Sequence, residues 1–404
     1  MLIVQKYGGT SVANADRIRA VAERVQHSHD AGNQVVVVVS AMGDTTDRLI
    51  DLARSVSDEP SKRELDVLLS TGETVSATLL AMALEASGCP VVSLAGAQLG
   101  IRTDRLHSKA RITEVRPDRV RSELASGRCV IVTGFQGVTE EGDITTLGRG
   151  GSDTTAVAVA CALQAPRCEI YTDVDGIYTA DPRIVPDARK LDRISYEEML
   201  EMAQMGARVM HPRAVELAEL YDLPIEVRSS FNDEPGTLID RGEGMEFRNR
   251  VRGVTHDFNV GKVTVAGVPD RPGLAAALFQ PLAAAGINVD VIIQASVEGL
   301  AEISFTVARA DQSEAVRVAQ EAAREMGATK VDNITNLAKV SIVGTGLQSD
   351  PGYAARMFTT MAEHGINIDT ITTSDIKITC IIEEARVEEA VRALHATFEL
   401  DQDE

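Results

Sequence analysis

Apolar positions in the first half of the chain follow two alternating rhythms. Short runs of consecutive β-branched residues alternate with stretches where apolar side chains return at helical spacing. Leu2-Ile3-Val4 starts a strand, and Ala15 to Val25 places Ile18, Val21, Ala22 and Val25 on one helical face. Gln34 to Val39 carries a run of five valines, the pattern of a strand buried on both faces of a parallel sheet. Asp44 to Val56 predicts a helix, and Arg63 to Ser87 a long helical region broken at Thr71-Gly72-Glu73, where either the Glu73 side chain points into a site or two helices meet. Cys89–Leu94, Arg128–Val132 and Glu169–Thr172 predict strands, and Val115–Ser126 a helix. Ala156 to Leu163 is apolar all round, as in a helix buried on most sides. Ser195 and Glu198 have capping-box spacing for a helix reaching Gln204. His211-Pro212 opens another helix to Tyr221, and Pro224–Val227 is the last strand of this part. The alternation predicts a mostly parallel α/β sheet with helices on both faces, its ligands lying beyond the carboxyl ends of the strands.

Phe231 to Gly261 is polar and glycine-rich and marks the expected boundary. Beyond it the sequence repeats. Pro272-Gly273 and Pro351-Gly352 are 79 residues apart (351 − 272), and so are the two Gly-Ile-Asn turns at 286–288 and 365–367, and Asp290 and Asp369. Each copy predicts the ferredoxin-like order β-α-β-β-α-β. Neither contains paired catalytic carboxylates or a nucleophile–base pair, which leaves a dimerisation module, a small-molecule sensor, or both. The expected domains are 1–245, 262–335 and 336–404.

Composition narrows the partners. The 404 residues suffice for two or three domains, and 44% apolar with 25% charged residues is ordinary for a soluble globular protein. A net charge of -20 repels nucleic acid and anionic membranes, and 3% aromatic content without Trp argues against stacking platforms. An anionic substrate must then be held by local cations. Five cysteines without C-x-x-C spacing predict free thiols in a reducing compartment. With no amino-terminal signal and no unbroken apolar run near the ~20 residues of a membrane span, a cytoplasmic location is expected.

Two glycine loops carry the candidate chemistry. K-Y-G-G-T-S (Lys6 to Ser11) follows the first strand and precedes a helix, the geometry of a phosphate cradle. L-G-R-G-G-S-D-T-T (Leu147 to Thr155) precedes the buried helix and adds Arg149, a planar fork suited to a carboxylate or phosphate. The plainer reading of this second loop is a turn with Ser152 or Asp153 as N-cap. Neither is a Walker loop or a G-x-G-x-x-G fingerprint. Both loops, and Ser40, follow strands or hairpins, so they can share one rim. Asp173, Asp175, Asp181 and Arg183 could hold a metal, a ribose or one another, without EF-hand spacing. His211 stands alone and reads as structural.

In order along the chain, K-Y-G-G-T-S, V-V-S-A-M, T-G-E, F-Q-G, G-R-G-G-S-D-T-T and T-D-V-D-G-I-Y-T-A-D-P-R closely resemble the motifs of the aspartokinase family, and the carboxyl repeat resembles its tandem ACT domains. The resemblance covers nearly the whole chain. It implies the amino-acid-kinase fold and phosphorylation of the side-chain carboxylate of L-aspartate by ATP with Mg²⁺, without a metal site made of protein ligands. By resemblance, Lys6, Tyr7, Gly8 and Gly9 meet the phosphates, with Thr10, Ser11 and Ser40 near the reaction centre. Glu73 would take the aspartate ammonium and Arg149 its α-carboxylate, in a pocket lined by Gly150, Gly151 and Ser152. Asp153 would orient Lys6. Thr172, Asp173, Tyr178, Asp181, Arg183 and Arg208 would hold the nucleotide, Arg208 standing where many members have lysine. Lysine, threonine or both would bind near Asp270, Gly273, Leu274, Ala275, Ile287, Asn288, Asp290, Gln294, Asn367 and Ile368, and ACT pairing implies a homodimer at least. Glutamate 5-kinase and N-acetylglutamate kinase are disfavoured by the paired repeats, and a non-catalytic sensor by the intact Lys6, Glu73, Arg149 and Asp153.

Overall fold

The computed structural model describes residues 1–207, 209–242, 250–348 and 350–402. They form two compact units, one from Met1–Tyr178, Lys190–Gln204 and 209–242, the other from Thr179–Arg189, Met205–Ala207 and 250–402.

The first unit runs β1 (Leu2–Tyr7), α1 (Ala15–Asp30), β2 (Gln34–Val39), α2 (Thr45–Val56), α3 (Lys62–Ala86), β3 (Val91–Leu94), β4 (Ile101–Thr103), β5 (Ile112–Val115), α4 (Asp118–Ala125), β6 (Cys129–Thr133), β7 (Gln136–Val138), β8 (Ile144–Thr146), α5 (Gly151–Leu163), β9 (Cys168–Thr172), β10 (Arg193–Ser195), α6 (Tyr196–Gln204), α7 (Pro212–Tyr221), β11 (Ile225–Ser229) and β12 (Thr237–Asp240). The main sheet has the order β10-β12-β11-β9-β1-β2-β6-β3, and β5-β4-β7-β8 make a small second sheet. From β11 to β3 the strands are parallel; β12 reverses against β11. The valine run of β2 explains the layering. Val35, Val37 and Val39 pack with Ile18, Val21 and Val25 of α1 and Leu80 and Leu84 of α3. Val36 and Val38, equally buried, point to the other face, where α5 meets β1 and β2. Burial on both faces removes each valine from water, worth about 1.5–3 kcal/mol per side chain.

Several local expectations change. The helix α3 is continuous through Thr71-Gly72-Glu73. A Cβ on Gly72 would lie 2.9 Å from the Ala41 Cβ, so this glycine admits the turn after β2 and does not break the helix. By composition α3 is also long and apolar enough to cross a membrane, but half of its apolar window is buried inside the protein, as in a core helix. Val115 ends a strand, and α4 begins only at Asp118, because Pro117 disfavours helical backbone at Arg116. Pro224–Val227 is not the last strand: β12 follows, and the stretch 231–261 holds β12 and the start of a further strand. Gly236 there is a close-approach residue; a Cβ would meet the Val227 carbonyl oxygen at 2.0 Å. The capping box forms as spaced, Glu198 N donating to Ser195 Oγ (3.1 Å) and Ser195 N to Glu198 Oε2 (3.2 Å).

The second unit runs β13 (Arg250–Pro269), α8 (Leu274–Ala284), β14 (Val289–Val297), β15 (Leu300–Val307), α9 (Gln312–Met326), β16 (Lys330–Thr345), α10 (Gly352–Glu363), β17 (Ile368–Ser374), β18 (Lys377–Glu383) and α11 (Val387–Thr397). Both repeats share one antiparallel sheet, β14-β15-β13-β16-β18-β17. The second repeat ends on α11, so its sixth element, the fourth strand, comes from upstream: Arg250–Asp257 of β13 pairs with Lys339–Thr345 of β16. Each repeat has its own apolar core. Lys262 reaches Asp369 (2.7 Å) and Lys339 reaches Asp290, so each central strand is tied to the aspartate of the other repeat.

Candidate functional site

Because β1, β2, β6 and β9 are parallel, their following turns open on one edge of the first unit. Lys6 sits between Val38 and Ile170. Its neighbour Tyr7 faces α1 and α3, so strand alternation turns Lys6 toward α5. There its Nζ lies 2.6 Å from Asp153 Oδ1, with side-chain exposures of 11% and 10%. The contact is a close charge pair between nearly buried groups. Asp153 lies in the first turn of α5, and the N-cap is Gly150 in left-handed backbone (φ 68), not Ser152 or Asp153. The Ser152 N–H, which has no backbone partner in this turn, and the positive dipole end of this thirteen-residue helix therefore face the same region as Lys6.

The turns meet backbone to backbone. Gly8 N donates to Tyr171 O (3.1 Å), Ser40 N to Tyr7 O (3.1 Å), Gly43 N to Gly9 O (3.0 Å) and Gly134 N to Val39 O (3.0 Å). A Cβ on Gly9 would stand 2.9 Å from Ala41 O, and one on Gly134 2.6 Å from Ser152 Oγ. Glycine is required at both by this approach. Ser11 is buried and donates to Ser230 Oγ (2.8 Å), while Thr10 is exposed. Tyr7 departs from expectation in one respect: its ring is fully buried and stacked on Tyr171 at 4.7 Å, so only its backbone can meet a ligand.

Glu73 points from α3 toward the Ser40 turn. Its Oε1 accepts from Ala41 N (3.1 Å), and Ser76 Oγ donates to Ser40 O (2.7 Å). Oε2 is buried without a partner among the described residues. Burial pushes the Glu73 carboxyl up to about 7, opposed by backbone hydrogen bonds, Ala41's among them. A nearly buried carboxylate oxygen with no donor calls for a cationic group from outside. Arg149 is exposed and forms no ion pair with a described residue, so its guanidinium is available to an anion.

Several supporting residues carried no local motif. Asp66, wholly buried, accepts from Ser108 N (3.0 Å) and Thr146 Oγ1 (2.6 Å) and lies 2.8 Å from His107 Nδ1. It braces the strand end leading into Leu147–Gly150. Arg213 donates to Leu147 O (2.8 Å) and Ala110 O (3.0 Å). His211 caps α7, and burial holds its imidazole below the ordinary range. A Cβ on Gly150 would lie 2.2 Å from the His211 ring. Gly150→Ala combines left-handed strain with this clash, a cost of about 1–3 kcal/mol from backbone alone. Chemical denaturation should show that loss, with aspartate KM raised; unchanged stability would contradict this packing.

Of the expected nucleotide residues, Thr172 ends β9 and Asp173 and Tyr178 follow it in this unit, and Thr172 Oγ1 donates to Asp173 Oδ1 (3.2 Å). Asp181 and Arg183 belong to the second unit, where they pair with each other at 2.7 Å. Arg208 lies outside the described residues. Among the expected effector residues, Asp270, Ala275, Asn288, Gln294 and Asn367 are exposed, and Ile368 is half-buried. Gly273 is the left-handed N-cap of α8 (φ 96), and Asp290 is held by Lys339. Leu274 and Ile287 lie in the first repeat's core, so a ligand there meets their backbone.

Comparison with known proteins agrees with this arrangement. Residues 1–229 match the amino acid kinase family, and 262–325 and 340–398 each match an ACT domain. The chain is 52% identical over 403 residues to an aspartate kinase of Stutzerimonas stutzeri, covering 99% of this chain and 98% of the relative. It is 49% identical over 399 residues to aspartokinase 2 of Bacillus subtilis, covering 99% and 98%. The solved structure of E. coli aspartokinase III in complex with aspartate and ADP superposes with a TM-score of 0.84 at 27% identity, covering 99% of this chain and all of that one. The same enzyme with lysine and aspartate gives 0.76 at 27% identity, covering 98% and 99%. With its two glycine loops joined through Lys6 and Asp153, and relatives matched over nearly their whole length, the chain belongs to the aspartate kinase family of ATP-dependent phosphotransferases.

Proposed function

We propose that the cradle transfers the γ-phosphoryl group of ATP to the side-chain carboxylate of L-aspartate, giving 4-phospho-L-aspartate and ADP, the first step toward lysine, threonine and methionine. The observation that carries this reading is the Lys6–Asp153 pair, which joins the two glycine loops over one site. A carboxylate is already a nucleophile at neutral pH, so no general base is needed. The barrier is repulsion between two anions, and the chain lowers it by positioning and neutralisation. Lys6 and the backbone N–H groups of Gly9 and of Ser152 at the α5 start hold phosphate oxygens. Arg149 takes the aspartate α-carboxylate, Glu73 its ammonium, and Ser40, Ser11 and Thr10 border the reacting groups. Asp153 holds the Lys6 ammonium in place. Mg²⁺ would be held largely through phosphate oxygens and water and would neutralise phosphate charge when bound, the Asp153 Oδ1 being taken by the Lys6 ammonium. A coupled assay of ADP release tests the reading: turnover with L-aspartate supports it, and turnover only with L-glutamate or N-acetyl-L-glutamate would overturn it.

Glu73 gives this reading a pH signature. The substrate ammonium requires the ionised carboxylate, so kcat/KM for aspartate should rise as pH rises through about 7. Glu73→Gln should flatten that limb; an unchanged profile would remove Glu73 from this role. Stability runs the other way. A carboxyl raised on folding favours the folded state while protonated, a contribution complete below about 4.5 and lost as pH climbs through about 7.

Lysine, threonine or both are proposed as effectors, bound by the ACT repeats near Asp270–Ala275 and Ile287–Gln294. The two Gly-Ile-Asn turns and the lysine complex of E. coli aspartokinase III support this. The outer strands β14 and β17 expose Ile292, Val297 and Ile371, which supports a homodimer formed through the repeats. Calorimetry without heat from either amino acid would exclude such effectors.

A further inference from the structure

The amino ends of the main-sheet strands, opposite the phosphate cradle, carry a second cluster of reactive side chains. Cys129 is the first residue of β6, Cys89 lies just before β3, and His29 and Asp30 are the last residues of α1. The strands fix the two cysteines side by side: Cys129 N donates to Pro90 O (2.8 Å), and Val91 registers with Cys129. Their sulfurs are 3.7 Å apart. A ring nitrogen of His29 completes a set whose ligand atoms all lie within 4.8 Å of one another. We propose that Cys89, Cys129 and His29 form a site for a thiophilic divalent cation of the Zn²⁺ class, with the Asp30 carboxylate beside the open fourth position.

Four features carry this. Tetrahedral coordination with metal–sulfur bonds of ~2.3 Å separates two sulfurs by about 3.8 Å, close to the 3.7 Å seen and far from the ~2.05 Å of a disulfide. Two thiolates and an imidazole are a donor set that selects this class of metal. An outer contact orients the imidazole: His29 Nε2 is 3.3 Å from Gly127 O, which leaves Nδ1 for the metal, with Asp30 Oδ1 3.7 Å from it. The sulfurs are buried, while His29 and Asp30 are partly open to solvent and provide an entry path. Binding is balanced by loss of both thiol protons to solvent: two Cys–SH and M²⁺ give the bis-thiolate complex and two H⁺. The ion would pin the end of α1 to the starts of β3 and β6, away from the phosphate cradle.

The test uses the full-length, reduced, metal-stripped protein titrated with Co²⁺ and then Zn²⁺. A sulfur-to-cobalt charge-transfer band saturating at one equivalent and displaced by Zn²⁺ is expected, with a Zn²⁺-dependent rise in Tm. Because Cys129→Ser removes a fully buried group and can prevent folding, Cys89→Ser and His29→Gln are the variants of choice. Each should weaken Zn²⁺ binding by at least about 10-fold, while Cys161→Ser leaves it unchanged and kinase turnover persists in all three. Absence of the band in folded wild type, or a band unchanged in Cys89→Ser, overturns the site. So does a Cys89–Cys129 disulfide that forms readily in air whether or not Zn²⁺ is present.

Discussion

Lys6→Ala should lower kcat about 10²–10³-fold while leaving aspartate KM near its original value, the cost of losing one preorganised charge at a developing anion. The effect is large because the site is dry. Lys6 and Asp153 are each about nine-tenths buried, where an ammonium acts through a low dielectric. The substitution also strands the Asp153 carboxylate, and breaking a buried pair costs about 3–5 kcal/mol of stability. Steady-state kinetics must therefore be read beside circular dichroism and a melting curve, with Lys6→Met as the bulkier neutral variant. A folded Lys6→Ala protein with near-normal kcat would rule out this role.

Arg149→Ala should act on the other substrate. Loss of a charge-assisted hydrogen bond worth about 1.5–3 kcal/mol predicts aspartate KM raised roughly 10–100-fold, with ATP KM little changed. Arg149 is exposed and has no ionic partner among the described residues, so the fold should be unaffected. Arg149→Lys should recover only part of the loss, since an ammonium cannot reproduce two parallel bonds to a carboxylate. A variant with raised ATP KM and unchanged aspartate KM would move Arg149 to the nucleotide.

Much of this was legible because it is local. A five-valine run states a strand buried on both faces, a 79-residue repeat states paired modules, and two glycine loops after strands or hairpins state a shared rim. The braces were not legible, because their partners are distant: Asp66 with Thr146, 80 residues on, Arg213 with Leu147, 66 residues back, and Ser11 with Ser230, 219 residues on. One signal was present. Asp66 precedes Glu73 by seven residues, two helical turns, so one face of α3 carries both buried carboxylates. Gly72 and Gly236 were misread for a single reason: glycine marks a break or linker in sequence, but here each admits a neighbouring chain segment. The second repeat's last strand was hidden by order, since Arg250–Asp257 supplies it from before the first repeat.

The central claim is that Lys6 and the loop ending in Asp153 act as one phosphate-holding unit. A double-mutant cycle on kcat for ADP release, using Lys6→Ala, Asp153→Asn and the double variant, tests it most directly. Residues acting as a unit are strongly non-additive, so the double variant should be little slower than Lys6→Ala alone. Losses that multiply in full would contradict the claim, because each residue would then be working without the other.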